Sequence, residues 1–193
     1  MGLLRKVVFL DRDGTINRDS ADYVKSRSEF ELLPGSIEAI KKLTDHGFTS
    51  IVITNQSALA RGLTTLEELN AMHDMMCRAI AARGGKITDI FFCRHMPDEG
   101  CGCRKPAPGL IQQACRKYGI DLADSTMVGD SAKDIACGRN AGCGRTLLVK
   151  SGIHPDVERE LKKASISADH VADDLRTAVA WIVAEKAKKN ELK

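Results

Sequence analysis

Short apolar runs alternate with longer amphipathic segments along this chain. Five runs have the length and composition of buried strands: VVFL (7–10), TSIVIT (49–54), DIFF (89–92), STMV (125–128) and RTLLV (145–149). The first, second and last are almost continuously apolar, as in parallel strands that are covered on both faces. The pattern therefore predicts a buried parallel sheet.

Helical periodicity fills the segments between these runs, with apolar residues recurring every three or four positions. The predicted helical segments are 36–47, 65–85, 106–119, 131–142 and about 172–189. Ser36 is the expected N-cap of the first, and Thr65 with Glu68 and Ser131 with Asp134 have the spacing of capping boxes. The expected buried faces consist of Ile37, Ile40 and Leu43 in the first helix, Leu66, Leu69, Met72, Met76 and Ile80 in the second, and Leu175, Val179 and Ile182 in the last.

Strands that alternate with helices predict a doubly wound, Rossmann-like α/β fold, with a parallel sheet and helices on both faces. No segment between the strands is long enough for an inserted cap domain, and 193 residues suit one domain over 1–193. The loop 11–35 is long for a strand-to-helix connection, so we expect it to cover or recognise a substrate.

Composition narrows the class of protein further. The chain is 43% hydrophobic and 28% charged, as is usual for globular proteins, and part of its net charge of +3 lies in AEKAKKNELK, which reads as a frayed helix end. Neither a nucleic-acid surface nor a membrane span is expected, since there is no basic stripe and no apolar run of roughly 18 residues. The opening MGLLRKVVFLDRDGT does not resemble a signal peptide, so the seven cysteines are expected to be reduced thiols in the cytoplasm. We also expect a monomer, because no predicted helix is apolar all round.

An acidic turn, DRDGT, follows the first predicted strand. It places Asp11 at the strand exit, Asp13 two residues later, and Gly14 where the chain must turn. Two carboxylates this close repel each other unless a cation lies between them. The turn is not an EF-hand loop, because no Glu stands at the twelfth position. It therefore predicts a functional site at the edge of the sheet.

Three further motifs occur in order after this turn. Thr54 ends the second strand, Lys105 precedes a helix, and VGDSAKD, with Asp130 and Asp134, follows the fourth strand. Together with DxDGT they resemble the four motifs of the haloacid dehalogenase-like (HAD-like) phosphohydrolases. The Asp at the second acid position favours a phosphatase over a dehalogenase.

This resemblance implies a mechanism and a cofactor. Asp11 would be the nucleophile that forms an aspartyl-phosphate, and Asp13 would protonate the leaving oxygen and then deprotonate the attacking water. Mg²⁺ would be held by Asp11, the backbone carbonyl of Asp13 and Asp130, with Asp134 behind them. Lys105 would stabilise the charge that develops on the phosphoryl group.

A second constellation lies in CRHMPDEGCGCRKP. Its Cys93, His95, Cys101 and Cys103 form a Cys₃His set, a usual complement for a closed, structural Zn²⁺ site. The loop is rich in Gly and Pro and poor in core formers, so a metal would supply the order that packing cannot. Incidental thiols remain an alternative, whereas a redox site is disfavoured because there is no CxxC. Zinc at Cys103 would fix the backbone beside Lys105.

This loop resembles that of a zinc-containing, nearly capless branch, which includes the heptose-1,7-bisphosphate 7-phosphatases and the histidinol-phosphate phosphatases. ITNQSALARG, DYV followed by FELLPG, and CRKPAPGL most resemble the heptose enzymes, although the zinc loop is short and Ser131 stands where those enzymes often have Lys. The resemblance implies Mg²⁺-dependent removal of the 7-phosphate for lipopolysaccharide precursor synthesis. Histidinol-phosphate phosphatase is one alternative, and a zinc-dependent binding module with an inactive core is another. The expected contacts to a sugar phosphate are Asp19, Asp22, Thr54, Asn55, Gln56, Ser57, Arg104 and Lys105.

Overall fold

The computed structural model describes Leu4 and residues 6–191. Over that part of the chain six strands form one sheet: β1 (Val7–Leu10), β2 (Thr49–Asn55), β3 (Ile87–Cys93), β4 (Ser125–Gly129), β5 (Arg145–Val149) and β6 (His170–Ala172). All neighbours pair in parallel, in the order β3-β2-β1-β4-β5-β6. The predicted doubly wound α/β fold is confirmed, and its strand order reverses beside β1.

In the described part of the chain, six α-helices connect or follow these strands: α1 (Ser36–Asp45), α2 (Leu66–Ala81), α3 (Gly109–Tyr118), α4 (Ala132–Ala141), α5 (Val157–Lys163) and α6 (Leu175–Glu191). One core layer joins α1, α2 and α6 to the sheet, and another joins α3 and α4 to its opposite face. Val8 and Leu10 of β1 enter the first layer, while Val7 and Phe9 enter the second. Alternate side chains of a strand point to opposite faces, so a strand covered on both sides is apolar throughout.

Several predicted helix boundaries are confirmed. The side chain of Thr65 accepts the backbone N–H of Glu68 at 3.1 Å, and Ser131 and Asp134 form a capping box at the start of α4. Gly119 ends α3 in the left-handed conformation, with φ 63°. These local hydrogen bonds satisfy backbone groups that a helix end would otherwise leave unpaired.

Other boundaries differ from prediction. Gly35, with φ 79°, is the N-cap of α1, so Ser36 is its first helical residue instead. Leu66 is 51% exposed because it follows an exposed loop, and α2 reaches the core only from Leu69 onward. The last helix begins at Leu175 rather than 172, since the preceding residues pair in β6.

One strand and one α-helix were not predicted at all, and both are short. β6 has three residues, and α5 has seven, of which only Val157 and Leu161 are buried. Both are too brief to show a clear period in the sequence. The expected frayed end covers residues 184–193, of which 184–191 are helical in α6 and 192–193 lie outside the described residues. Residues 1–3 and 5 of the opening segment also lie outside them.

The long loop 11–35 is folded onto the sheet. It contains turns and isolated bridges, such as the one between Asn17 and Leu32, and it buries Ile16, Val24 and Phe30. Among the described residues, no inserted domain separates the strands, as predicted. No described helix combines the length and apolarity that crossing a membrane requires.

Candidate active site

A cavity of about 360 Å³ opens at the carboxyl edge of the sheet, and we call it the cleft. Asp11 directly follows β1 and Asp130 directly follows β4, and these two strands are neighbours at the point where the strand order reverses. Ligands of doubly wound folds bind at such a point. Thr54, from β2, and Lys105, from the loop before α3, line the same cleft. The four sequence motifs therefore meet in one place.

Three buried carboxylates form what we call the carboxylate cluster: Asp11 and Asp130, which line the cleft, and Asp134, which is fully buried next to them. Each contributes an oxygen that lies within 4.8 Å of the others. The ammonium of Lys105 is 2.7 Å from Asp11 Oδ1 and 2.6 Å from Asp134 Oδ1, and it donates to the carbonyl of Ile53 at 2.9 Å. Three carboxylates and one ammonium carry a charge of −2 when all are ionised.

This excess charge perturbs the carboxyl groups. Burial, followed by the charges of Asp134 and Asp11, raises the pKa of Asp130 to about 9. Burial and Asp134 likewise raise the pKa of Asp11 to about 7, although Lys105 opposes the change. Asp130 Oδ2 is buried and has no hydrogen-bond partner among the described residues. The cluster thus offers oxygen ligands, an excess of negative charge and a carboxylate oxygen without a hydrogen-bond donor. These properties fit a hard divalent cation such as Mg²⁺.

Gly14 makes room for this arrangement. Its φ is +78°, and a Cβ at this position would lie 2.5 Å from Asp130 Oδ2. Any side chain would be strained by the backbone conformation and would also press on the carboxylate. The glycine of the DRDGT turn is thus required by both the turn and the site.

Asp13 is surrounded by hydrogen-bond donors. Arg12 donates to both of its carboxylate oxygens at 2.8–3.1 Å, Asn17 donates to Oδ1 at 2.9 Å, and Gln56 donates to Oδ2 at 2.8 Å. Burial alone would raise the pKa of Asp13, but the ion pair with Arg12 and these hydrogen bonds hold it below its usual value. These donors favour the ionised form of Asp13, which is the form that can accept a proton.

The turn after β2 connects several of these groups. Gln56 also donates to Thr54 Oγ1 at 2.9 Å, so one amide links Asp13 to Thr54. Asn55 and Lys105 form a reciprocal pair, in which each donates to the other at 3.1–3.2 Å. Asn55 and Gln56, both predicted as substrate contacts, line the cleft, and these hydrogen bonds use both side-chain N–H groups of Gln56 and one of the two of Asn55. Ser57 lies in the cleft, 4% exposed.

The peripheral residues divide into those that line the cleft and those that do not. Asp19 is half-buried in its wall, and burial raises the pKa of its carboxyl. Arg104 lines the cleft and donates to the carbonyl of His95 at 3.2 Å. Asp22 is exposed and is not among the lining residues, because the loop turns its neighbour Tyr23 inward instead.

Besides Lys133 and Ile153, which also line the cleft, three contributing residues were missed from the sequence. His154 lines the cleft, 4.0 Å from Asp130 Oδ2. Arg12 is fully buried between the two aspartates, and its Nη1 is 3.2 Å from Nε2 of His73 on α2. The position of Arg12 within DRDGT could have signalled its role, whereas nothing in the sequence around His73 distinguishes it from a core residue.

The four predicted zinc ligands converge beside the cleft. Cys93 Sγ is 3.5 Å from His95 Nδ1 and 3.6 Å from Cys101 Sγ, and Cys103 Sγ is 3.3 Å from His95 Nδ1 and 3.6 Å from Cys101 Sγ. A tetrahedral ion with Zn–S of about 2.3 Å and Zn–N of about 2.0 Å requires ligand separations of roughly 3.5–3.8 Å. Burial, then Cys93 and Cys101, raises the pKa of Cys103 to about 12, so three thiolates here need a cation. The residues therefore fit Zn²⁺.

Comparison with known proteins identifies the fold and its relatives. The HAD-hydrolase-like family model matches residues 102–178. D-glycero-beta-D-manno-heptose-1,7-bisphosphate 7-phosphatase of Bordetella bronchiseptica is 46% identical over 157 residues, which cover 77% of this chain and 88% of that protein. The corresponding alpha-heptose enzyme of Photorhabdus laumondii is 42% identical over 160 residues, covering 79% and 86%.

A solved structure extends this similarity to the whole fold. The crystal structure of D,D-heptose 1,7-bisphosphate phosphatase from B. bronchiseptica, complexed with magnesium and phosphate, superposes with a TM-score of 0.86 at 42% identity. The match covers 93% of this chain and 99% of that one. The chain is thus a HAD-like hydrolase of the phosphatase class. Within that class it belongs to the family that the heptose-1,7-bisphosphate 7-phosphatases form.

Proposed function

We propose that this protein is a Mg²⁺-dependent phosphatase that removes the 7-phosphate of D-glycero-D-manno-heptose 1,7-bisphosphate. The observation that carries the proposal is the meeting of Asp11, Asp13, Thr54, Lys105 and Asp130 in one cleft. It is supported by relatives up to 46% identical that are named for this reaction. A role in lipopolysaccharide precursor synthesis follows from the substrate.

The first chemical step belongs to Asp11. Its carboxylate attacks phosphorus, the bond to the sugar oxygen breaks, and an aspartyl-phosphate forms. Asp13 supplies the proton that the leaving sugar oxygen needs. Thr54 and Lys105 hold phosphoryl oxygens and offset the charge that grows on them. Asn55 holds the backbone of Lys105 in place through their reciprocal hydrogen bonds.

The second step returns the protein to its starting state. Asp13, in the ionised form that its donors stabilise, takes a proton from water, and the oxygen of that water attacks the phosphorus of the aspartyl-phosphate. Phosphate leaves, Asp11 is regenerated, and Asp13 holds the proton that the next leaving oxygen receives.

Two metal ions complete the proposed site. Asp11, the backbone carbonyl of Asp13 and Asp130 would hold Mg²⁺, which supplies charge neutralisation between the attacking carboxylate and the phosphoryl group. Cys93, His95, Cys101 and Cys103 would hold a structural Zn²⁺. Cys103 is two residues from Lys105, so order in the zinc loop sets the position of the Lys105 ammonium.

The remaining assignments stay predictions. They are a single domain over 1–193, a monomer, cytoplasmic localisation, and contacts of Asp19, Ser57 and Arg104 with the sugar or its second phosphate. Arg104 suits a phosphate because its guanidinium donates in a planar fork. Asp22 is no longer part of the proposed site.

A substrate panel tests the proposal. Phosphate release with Mg²⁺ is measured for both anomers of heptose 1,7-bisphosphate and for histidinol phosphate. We expect heptose bisphosphate to have the highest kcat/KM, and Asp11→Asn to lower kcat at least 1,000-fold while retaining the wild-type melting curve, on the order of what a nucleophile contributes.

Each contrary result has a distinct meaning. A strong preference for histidinol phosphate would overturn the substrate, and substantial turnover by Asp11→Asn would overturn the nucleophile. Absence of phosphate release from every ester would favour a binding module with an inactive core.

A further inference from the structure

Arg12 lies between the two catalytic aspartates, Asp11 and Asp13, in the sequence, and its guanidinium is entirely inside the protein. Arg12 is 0% exposed, and burial of an arginine requires that its donors be paired. Nε and Nη2 donate to Asp13, and Nη1 faces His73 Nε2 at 3.2 Å. The face of the guanidinium lies over the ring of Phe30, 5.7 Å from its centroid. Arg12 therefore has a single available orientation.

His73 is equally constrained. It is 6% exposed on α2, and its ring is tilted at 57° against Phe92, with centroids 5.8 Å apart. Burial, then the charge of Arg12, lowers the pKa of His73 to about 3, so the imidazole is neutral and Nε2 can accept the Arg12 N–H. A residue 61 positions away in the sequence thus fixes the direction of the guanidinium.

The contacts of Arg12 determine how Asp13 faces the cleft. Arg12 donates to both oxygens of the carboxylate, Asn17 donates to Oδ1 and Gln56 donates to Oδ2. About 20% of the Asp13 side chain remains exposed, and Asp13 lines the cleft. The carboxylate is therefore presented to the reacting groups in one fixed orientation.

We propose that Arg12 and His73 are positioning residues for proton transfer: His73 fixes the guanidinium of Arg12, and Arg12 holds the Asp13 carboxylate where it meets the leaving oxygen. The inference rests on the proposed phosphatase function. Neither side chain lines the cleft. Their effect on the reaction passes through Asp13 alone. A misplaced proton donor lowers the rate most for substrates whose leaving group cannot depart without a proton.

Leaving-group dependence tests this role. His73→Leu removes the acceptor for Arg12, whereas His73→Gln offers an amide oxygen near the position of Nε2. For each variant kcat/KM is measured with heptose 1,7-bisphosphate, an alkyl ester with a poor leaving group, and with p-nitrophenyl phosphate, whose leaving group departs without a proton. We expect His73→Leu to lower kcat/KM about 10-fold or more for the alkyl ester and less than about threefold for the aryl ester. His73→Gln should recover most of the loss.

Ile80→Ala provides the matched control. Ile80 is fully buried on the same helix, so the substitution destabilises α2 without touching Arg12 or Asp13. It should affect the two esters equally. If His73→Leu does not fold, the same two esters are compared with Arg12→Lys, which keeps the positive charge but loses the planar pair of guanidinium donors.

The outcomes separate the two proposals. If His73→Leu lowers kcat/KM equally for both esters, or if His73→Gln does not recover it, Arg12 and His73 have only a structural role. A wild-type protein that hydrolyses no alkyl phosphate would instead overturn the proposed function itself.

Discussion

The carboxylate cluster makes a quantitative prediction for the variant Asp130→Asn in the absence of divalent cations. Its oxygens lie within 4.8 Å of one another. At that separation and an effective dielectric of about 20, each like-charge pair costs about 3 kcal/mol. Within the cluster Asp130 faces two carboxylates and one ammonium, and Asp19 lies within the same distance, so at least one uncompensated repulsion remains. Removing the charge of Asp130 should stabilise the metal-free protein by about 3 kcal/mol or more, which is at least roughly 6–12 °C in Tm for a domain of this size.

The dependence on pH has a definite sign. In the unfolded chain the carboxyl of residue 130 ionises near the usual aspartate pKa of 3.8, whereas in the folded protein it keeps its proton up to a pKa of about 9. The unfolded state therefore binds fewer protons within this window, and the stability of the metal-free wild type falls as the pH rises through it. Asp130→Asn should flatten that fall.

Thermal melts in EDTA and in excess Mg²⁺ provide the assay. Mg²⁺ at 100 times its Kd should stabilise the wild type by about 2.7 kcal/mol and should leave Asp130→Asn almost unchanged. Asp74→Asn, at an exposed position on α2, is the matched control and should behave as the wild type in both conditions. An Asp130→Asn protein that melts no higher than wild type in EDTA and is still stabilised by Mg²⁺ would rule out this repulsion at Asp130.

Two further substitutions address the zinc loop and the acidic turn. Metal analysis should find about one zinc per chain. Cys103→Ser should lose the zinc and have a lower Tm and lower activity, while Cys115→Ser, on α3 outside the zinc ligands, should keep the zinc content, Tm and activity of the wild type. A zinc-free wild type with full activity would contradict this. Gly14→Ala should weaken Mg²⁺ activation at least 10-fold in half-saturating concentration, because its Cβ would lie 2.5 Å from Asp130 Oδ2. Gly47→Ala has a similar backbone strain, with φ +72°, but no atom of the described residues would lie within 4 Å of its Cβ, so a comparable kinetic effect there would refute the steric explanation.

The sequence predicted those parts of the site that follow from strand ends and ligand spacing. Asp11 and Asp130 could be placed together because apolar runs mark parallel strands, whose carboxyl ends share one edge. Cys93 and His95 could be paired with the later thiols because the four ligands lie within eleven residues. Both inferences need only local patterns and the geometry of a sheet.

The rest depends on contacts that local patterns do not encode. His73 meets Arg12 across 61 residues, and its spacing on α2 is that of an ordinary core residue. Asp22 was assigned to the cleft because it is acidic and close in sequence, but the loop 11–35 directs Tyr23 inward, at φ 64°. Tertiary packing, rather than residue type, decides which side chains of such a loop reach the site.

The carboxylate cluster, whose charge reaches −2 when all its members ionise, also couples the binding of cation and substrate. A phosphate ester arriving before the cation would bring further negative charge against carboxyl groups whose ionisation is already opposed by their neighbours. Cation and substrate must therefore bind with positive cooperativity, and thermodynamic linkage makes the effect reciprocal, since each ligand tightens the other by the same factor. The affinity for Mg²⁺ measured on the free protein consequently sets only a lower bound on its affinity during turnover.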